Sequence, residues 1–146
     1  MNIFRKLLAS PIVGVKWVRA LELASAENYQ AALGELDYLD EFYSGKHIEY
    51  HLLRGLVNYA LSDDSSAVEN LKLSISLLRN TTRYNEDERD YLLCYGTTLC
   101  RKAAKSVPNL IDLDSLPQVD VSTVNLANVK YPLRKSFPLT DHSQWK

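Results

Sequence analysis

The sequence predicts an all-α fold built from antiparallel helical hairpins. The first hundred residues contain one proline, Pro11, whereas three of the five prolines lie beyond residue 116. Helix breakers are therefore scarce where the body of the protein would form. Over the same stretch apolar residues recur at i, i+3, i+4 and i+7, which is the period of an amphipathic helix. Short turns separate these segments, so successive helices should run antiparallel.

The first two helices are predicted over residues 14–25 and 29–43. Trp17, Val18 and Leu21 begin the buried stripe of the first helix. Asn28 lies in the turn before the second helix and can cap its N-terminus. Gly45 should end the second helix, because glycine accepts the left-handed backbone found just after a helix C-terminus.

The third and fourth helices, predicted over 46–61 and 66–79, form the clearest hairpin. Ser65 or Asp64 can cap the fourth helix, and Glu69 lies near the position of the acid in a capping box. The fifth helix begins near Glu86. Its acidic first turn and basic last turn both suit the helix dipole, and it should stop before Pro108.

From residue 107 onward the composition changes, because four prolines interrupt short apolar clusters. The alternation of Val119 and Val121 with polar residues indicates extended backbone. So many Val, Leu and aromatic residues are not typical of a disordered segment. We therefore expect one domain. It has a helical body over 1–106, with the array proper over about 14–106, and a mostly extended tail over 107–146 that packs on the body or is completed by a partner.

Two hairpins share the same spacing of small residues. Gly55 and Ala67 are twelve positions apart, as are Ala20 and Ala32, and the two alanines of the second helices define a period of 35 residues. This pattern resembles the tetratricopeptide family, whose repeats are roughly 34 residues long. The resemblance covers about residues 14–106 and implies a short right-handed array with a concave groove that binds protein or peptide.

The resemblance also implies which residues line the groove: Trp17, Leu52, Leu56, Tyr59 and Thr97, with Leu21 and Leu93 beside them. Leu52 and Leu56 are strongly apolar for a hydrated groove. Either the tail covers them, or the register taken from the family is wrong by one residue.

The net charge of −1 hides an uneven distribution of charged residues. Residues 1–20 contain four bases and no acid, whereas residues 21–70 contain ten acids and two bases. The acidic block excludes nucleic acid as a direct ligand there, because phosphate would be repelled. It suits a basic protein partner or is a solvated helix face. The candidate partner-binding residues are Glu35, Asp37, Tyr38, Asp40, Glu41, Asp63 and Asp64.

Candidate chemistry is sparse. His47 and His51 share a helix face, as zinc ligands often do, but an ordinary surface pair beside a helix start is the better interpretation. Cys94 and Cys100 lie on different faces of one predicted helix, which indicates reduced core thiols. The acids map to outer helix faces, and no glycine-rich phosphate loop occurs. We therefore expect no enzymatic activity, no metal and no cofactor.

The N-terminus has a basic start and a short apolar run, but Pro11, Gly14 and the charges that follow argue against a signal peptide. No stretch reaches the roughly eighteen apolar residues of a membrane span. The sequence thus predicts a cytoplasmic protein without a membrane partner.

The function expected from these observations is protein binding. The most specific form is a small inhibitor or immunity-type protein that neutralises a basic partner, such as a nuclease toxin, through its acidic face. The alternative is an adaptor or chaperone that holds an extended peptide in the apolar groove. The tail could also join two copies of the chain into a homodimer.

Overall fold

A computed structural model describes residues 3–139, with side chains from residue 11 onward. The body consists of five long helices: α1 (Ile3–Ser25), α2 (Tyr29–Tyr43), α3 (Ile48–Ala60), α4 (Asp64–Asn80) and α5 (Glu86–Ala104). Single turns of 3-10 helix follow at Pro108–Leu110, Leu113–Ser115, Val121–Thr123 and Leu126–Asn128, and then α6 (Tyr131–Ser136). Between residues 3 and 139 no strand is present, so the all-α prediction is confirmed.

The long helices pack as a hairpin-like array. Each helix from α1 to α5 packs most closely against its neighbours in the chain. Three of the turns contain a residue with left-handed backbone: Glu27, Gly45 and Ser62. Gly45 has a φ of 81° and follows the end of α2, as the sequence predicts.

Helix starts differ from the prediction in detail. Asn28 makes no side-chain capping bond. The α4 cap is Asp63, whose carboxylate accepts from the backbone N–H of Ser66 at 3.3 Å. The capping box lies at α5 instead, where Asn85 and Glu88 each accept a hydrogen bond from the other's backbone N–H.

The first helix begins at Ile3 rather than at residue 14, and it includes Pro11. The set of buried side chains on α1 also differs from the prediction. Val18, predicted to be in the buried stripe, is 52% exposed, whereas Ala20 and Ala24 are buried.

The core lies between the helices, and Gly55 is tightly packed within it. A Cβ placed there would lie 2.6 Å from Leu71 Cγ. Leu71 lies one turn further along α4 than Ala67, the small residue that shares the spacing of twelve with Gly55. Both Ala67 and Leu71 are completely buried.

Candidate functional site

The acidic side chains of α2 are partly neutralised from both sides. Glu35 is mostly buried and pairs with Lys16 at 3.0 Å and Arg19 at 3.3 Å. Asp37 pairs with Arg54 of α3 at 2.5 Å but keeps 60% of its side chain exposed. The acidic face is therefore less negative than the sequence alone indicates, and Asp37 remains able to contact a partner.

Tyr50 connects these charges to the core. Its hydroxyl donates to Asp40 Oδ1 at 2.7 Å and accepts from Arg54 Nη1 at 3.0 Å. Burial, and then the bond to the Asp40 carboxylate, raises the pKa of Tyr50. The Tyr50 side chain is completely buried.

Asp63 and Asp64 lie apart from the α2 carboxylates. Asp63 lies in the turn after α3 and Asp64 is the first residue of α4, whereas Glu35 and Asp37 of α2 pair with residues of α1 and α3. Asp63 caps α4, and Asp64 accepts from the hydroxyl of Ser106. The predicted partner-binding set is thus divided into an α2 group and a turn that contacts the start of the tail.

Exposed apolar residues lie on α1, the helix whose Lys16 and Arg19 pair with Glu35 of α2. Ile12, Val15 and Val18 are 50%, 68% and 52% exposed. Ile12 and Val15 line a cleft of ≈ 280 Å³ with Lys16 and Arg19. This exposed stripe was not predicted, because the same helix also carries a buried one.

Lys16 joins the two helices into one surface. Its ammonium lies 5.0 Å from the centre of the Tyr38 ring, which stacks on Phe42 at 5.8 Å. We call this surface the α1–α2 face and define it by exposed residues: Ile12, Val15, Val18, Asp37, Tyr38, Asp40 and Glu41.

The residues predicted to line an open groove are mostly core residues. Leu52, Leu56, Tyr59 and Thr97 are all buried. Leu52 fills the space between α3 and α5, since a Cβ on Gly96 would lie 3.2 Å from its Cδ2. Trp17 and Leu21 are partly buried, and Trp17 packs on Tyr43 and His47. The four buried side chains are therefore not accessible to a partner in this structure.

Two side chains of α4 donate hydrogen bonds to main-chain carbonyl oxygens of the tail. Lys72 of α4 donates to the carbonyl oxygen of Leu110 at 2.9 Å, and Arg79 donates to that of Ser115 at 2.9 Å. Such bonds require a backbone carbonyl and no particular tail side chain. They fix the path of residues 108–115 along α4.

The start of α5 holds the next part of the tail. Asp87 accepts from the backbone N–H of Asn125 at 3.0 Å and from Asn128 Nδ2 at 2.8 Å. The bond from the Asn128 side chain has the larger effect, and together the two bonds lower the pKa of Asp87. Glu88 is buried, and its Oε2 accepts from the backbone N–H of Lys130 at 3.4 Å. The tail thus turns around the N-terminus of α5.

Beyond this turn the tail inserts a stripe of apolar residues. Val129, Leu133 and Phe137 are four positions apart and are all buried. The Phe137 ring lies 5.4 Å from that of Tyr95, edge to face, and the Tyr91 hydroxyl donates to the Phe137 carbonyl at 2.8 Å. The sequence predicted a mostly extended tail, whereas this stripe lies on or beside a short helix.

A cleft of ≈ 570 Å³ separates α6 from α1. Its walls are mainly apolar, with Glu22 on the α1 side and Lys135 on the α6 side. Val18 lines this cleft and also a second cleft of ≈ 760 Å³ on the outside of α1. The α1–α2 face is therefore continuous with the space beside α6.

His47 and His51 both hold hydrogen bonds at or beside the turn between α2 and α3. His47 Nδ1 accepts from the backbone N–H of Tyr50 at 3.0 Å and caps α3. His51 Nε2 accepts from the backbone N–H of Gly45 at 2.9 Å, so its Nδ1 carries the proton and donates to Asn70 at 2.9 Å. Burial lowers the pKa of His47 to about 4 and also lowers that of His51. The pair is structural but, unlike the prediction, not on the surface: His51 is buried.

The remaining candidates offer little reactivity. Cys94 and Cys100 are unpaired thiols, and burial raises the pKa of both. Within the described side chains, no group of three or more His, Cys, Asp or Glu residues is arranged to hold a metal ion.

Comparison of the chain with protein-family models, with curated proteins and with solved structures finds no significant match. Over residues 3–139, none of the helices combines the length and the apolarity needed to cross a bilayer.

Proposed function

We propose that the chain is a non-enzymatic protein-binding module whose α1–α2 face takes a basic protein partner. The observation that carries this proposal is the exposure of Ile12, Val15 and Val18 on α1, the helix whose Lys16 lies against the exposed Tyr38 ring of α2. Specific interfaces commonly combine an apolar centre, an aromatic contact and a charged rim. The α1–α2 face offers all three in one surface.

The negative charge of the rim favours a basic partner. Asp37, Asp40 and Glu41 are exposed on the outside of α2. Asp37 and Asp40 already accept one bond each from within the chain, but a carboxylate has further lone pairs for a partner's Lys or Arg. Association would then be fast and would weaken as salt is added.

The specific form of the proposal is an inhibitor or immunity-type protein that neutralises a basic partner, such as a nuclease toxin, in the cytoplasm. The small helical body and the acidic block over residues 21–70 support it. A right-handed tetratricopeptide-like array with the tail packed on it is the architecture that we propose for it. The spacing of Gly55 and Ala67 and the hairpin-like packing support that architecture.

The test is capture of the partner from the native host, with identification by mass spectrometry. We expect the wild type to capture a basic protein at low salt. The variants Asp37→Lys/Glu41→Lys and Val15→Asp should both lose it, since they change the rim and the apolar centre.

Matched controls are Glu69→Lys on α4 and Val121→Asp in the tail, both at exposed positions outside the face. Capture that survives both face variants, or that the controls abolish equally, would contradict the proposal.

A further inference from the structure

We infer that the outer side of α1 is a dimer interface, at which the helix packs antiparallel against the same helix of a second copy of the chain. This inference goes beyond the proposed function, because the contact needs no other protein. It also differs from the homodimer expected from the sequence, since the two copies meet through α1 and not through the tail.

The outer side of α1 has the shape that helix packing requires. The residues that line its cleft of ≈ 760 Å³ all belong to α1 and the turn that follows it. They form two rows with a spacing of four, one of Gly14, Val18, Glu22 and Ala26 and one of Val15, Arg19 and Leu23. Rows of this spacing are the ridges of a helix, and the groove between them accepts a ridge of another helix.

This groove is open and mainly apolar. Val15 and Val18 are 68% and 52% exposed, and a Cβ added to Gly14 would meet no heavy atom within 4 Å. Gly14 and Ala26 are small and lie at the two ends of one row. Because the distance between packed helices depends on the side chains at the contact, such ends allow a second helix to approach closely.

The two charges in the groove are arranged for a copy of the same helix. Arg19 and Glu22 lie on either side of the midpoint between residues 20 and 21. With a two-fold axis at this midpoint, Arg19 of each copy faces Glu22 of the other, as the self-complementary contact of a two-fold dimer requires. An axis moved four residues toward the start of α1 would place Arg19 against Gly14 and Glu22 against Pro11, and would pair neither charge.

Both charged side chains are available for this contact. Arg19 uses its Nε to pair with Glu35 at 3.3 Å and keeps 66% of its side chain exposed. Glu22 is exposed, and within residues 11–139 it has no ion-pair partner. One base and one acid give the groove no net charge, so it does not select a basic partner, whereas a second copy satisfies both charges at once.

The same axis also brings the apolar side chains of the two copies together. Val18 of each copy faces Leu23 of the other, and Val15 faces Ala26. Val15 and Val18 belong to the α1–α2 face as well, so the dimer and a partner bound there would exclude each other. The partner would then compete with dimerisation.

The test is sedimentation equilibrium of the purified full-length protein, in a concentration series that extends to the millimolar range. One helix from each copy makes a small interface, so we expect a weak dimer. Glu22→Arg and Arg19→Glu should each raise the dissociation constant at least about tenfold, because each creates two contacts between like charges. An equimolar mixture of the two variants should regain the dimer, since one then supplies both acids and the other both bases.

Two controls accompany these variants. Glu69→Arg makes the same charge change at an exposed position of α4 and should dimerise like the wild type. Circular dichroism checks that each variant keeps its helix content. If Arg19→Glu does not, Arg19→Gln replaces it. Its mixture with Glu22→Arg should then regain the dimer in part, because one of the two ion pairs is restored.

Three results would overturn the inference: a wild type that stays monomeric throughout, a dimer that Glu22→Arg leaves unchanged, or a mixture of folded variants that stays monomeric. These measurements contain no partner, so they do not affect capture through the α1–α2 face. Failure of the proposed function would instead show as capture that is insensitive to Asp37→Lys/Glu41→Lys, a variant that should dimerise normally.

Discussion

Gly55→Ala tests the closest approach in the core. The added methyl carbon would lie 2.6 Å from Leu71 Cγ and 2.7 Å from its Cδ2. Cγ is bonded directly to Cβ, so it can move away only if the completely buried Leu71 side chain changes its rotamer or α4 shifts. Overpacking of this kind costs about 1–3 kcal/mol, whereas alanine favours the helix by about 1 kcal/mol over glycine.

The net expectation is a loss of about 0–2 kcal/mol in the free energy of unfolding. This corresponds to a fall in Tm of up to roughly 8 °C for a chain of this size. The measurement is urea unfolding followed by circular dichroism, with the slope m checked for constancy.

Two other glycines provide control variants. Gly34 has no heavy atom within 4 Å of its added Cβ, so Gly34→Ala should stabilise the protein by about 0.5–1 kcal/mol. A Cβ on Gly96 would lie 3.2 Å from a terminal methyl of Leu52, which can shift, so Gly96→Ala should be nearly neutral. If Gly55→Ala proved as stable as Gly34→Ala, the packing argument would be refuted.

Three further variants test the polar contacts. Burial lowers the pKa of His47 from 6.5 to about 4, so its contribution is complete above about pH 6.5 and is lost as the pH falls to about 4. After allowance for solvent screening of this partly exposed ring, the loss is about 1–2 kcal/mol. In the variant His47→Asn, which keeps a capping side chain, the urea midpoint should fall less between pH 7 and pH 4 than it does in the wild type. An equal fall in both proteins would contradict this. Tyr50→Phe removes the bonds to Asp40 and Arg54 and should lower the free energy of unfolding by about 1–3 kcal/mol in urea at pH 7; a neutral effect would exclude a stabilising role for this network. Asn85→Ala removes one half of the capping box at α5 and should cost about 1 kcal/mol by thermal unfolding, whereas an unchanged Tm would show that the tail, not the cap, fixes this helix start.

The sequence predicted the body helices well, because their apolar period and turn residues are local signals. The observed ends of α2 and the start of α5 coincide with the prediction. The start of α1 was missed, because Pro11 and Gly14 read as an interruption, whereas the helix continues through both. Val18 was assigned to the wrong side for a related reason: α1 carries two apolar stripes, and only one of them faces α2.

The path of the tail could not be predicted in the same way. Lys72 and Arg79 donate hydrogen bonds to carbonyl oxygens of the tail. Because every residue has such an oxygen, these pairs cannot be predicted from the sequence. His51 presents a similar case. Its partners, the Gly45 backbone and the Asn70 side chain, meet only after three helices have packed. The burial of Leu52 likewise depends on the position of α5.

The bonds that fix the tail also bear on the order in which the chain folds. Apart from the bond between Arg101 and Leu113, which spans 12 positions, the described bonds join residues 36 to 46 positions apart, as in the pairs Arg79–Ser115 and Tyr91–Phe137. Each hairpin, in contrast, closes over a short turn. Closing a longer loop costs more entropy, so the hairpins should assemble first and the tail should dock late. Weakening the tail would then speed unfolding and leave the folding rate nearly unchanged. The protein's resistance to unfolding over time would therefore depend on residues 107–139, even though its architecture is determined by the helices that precede them.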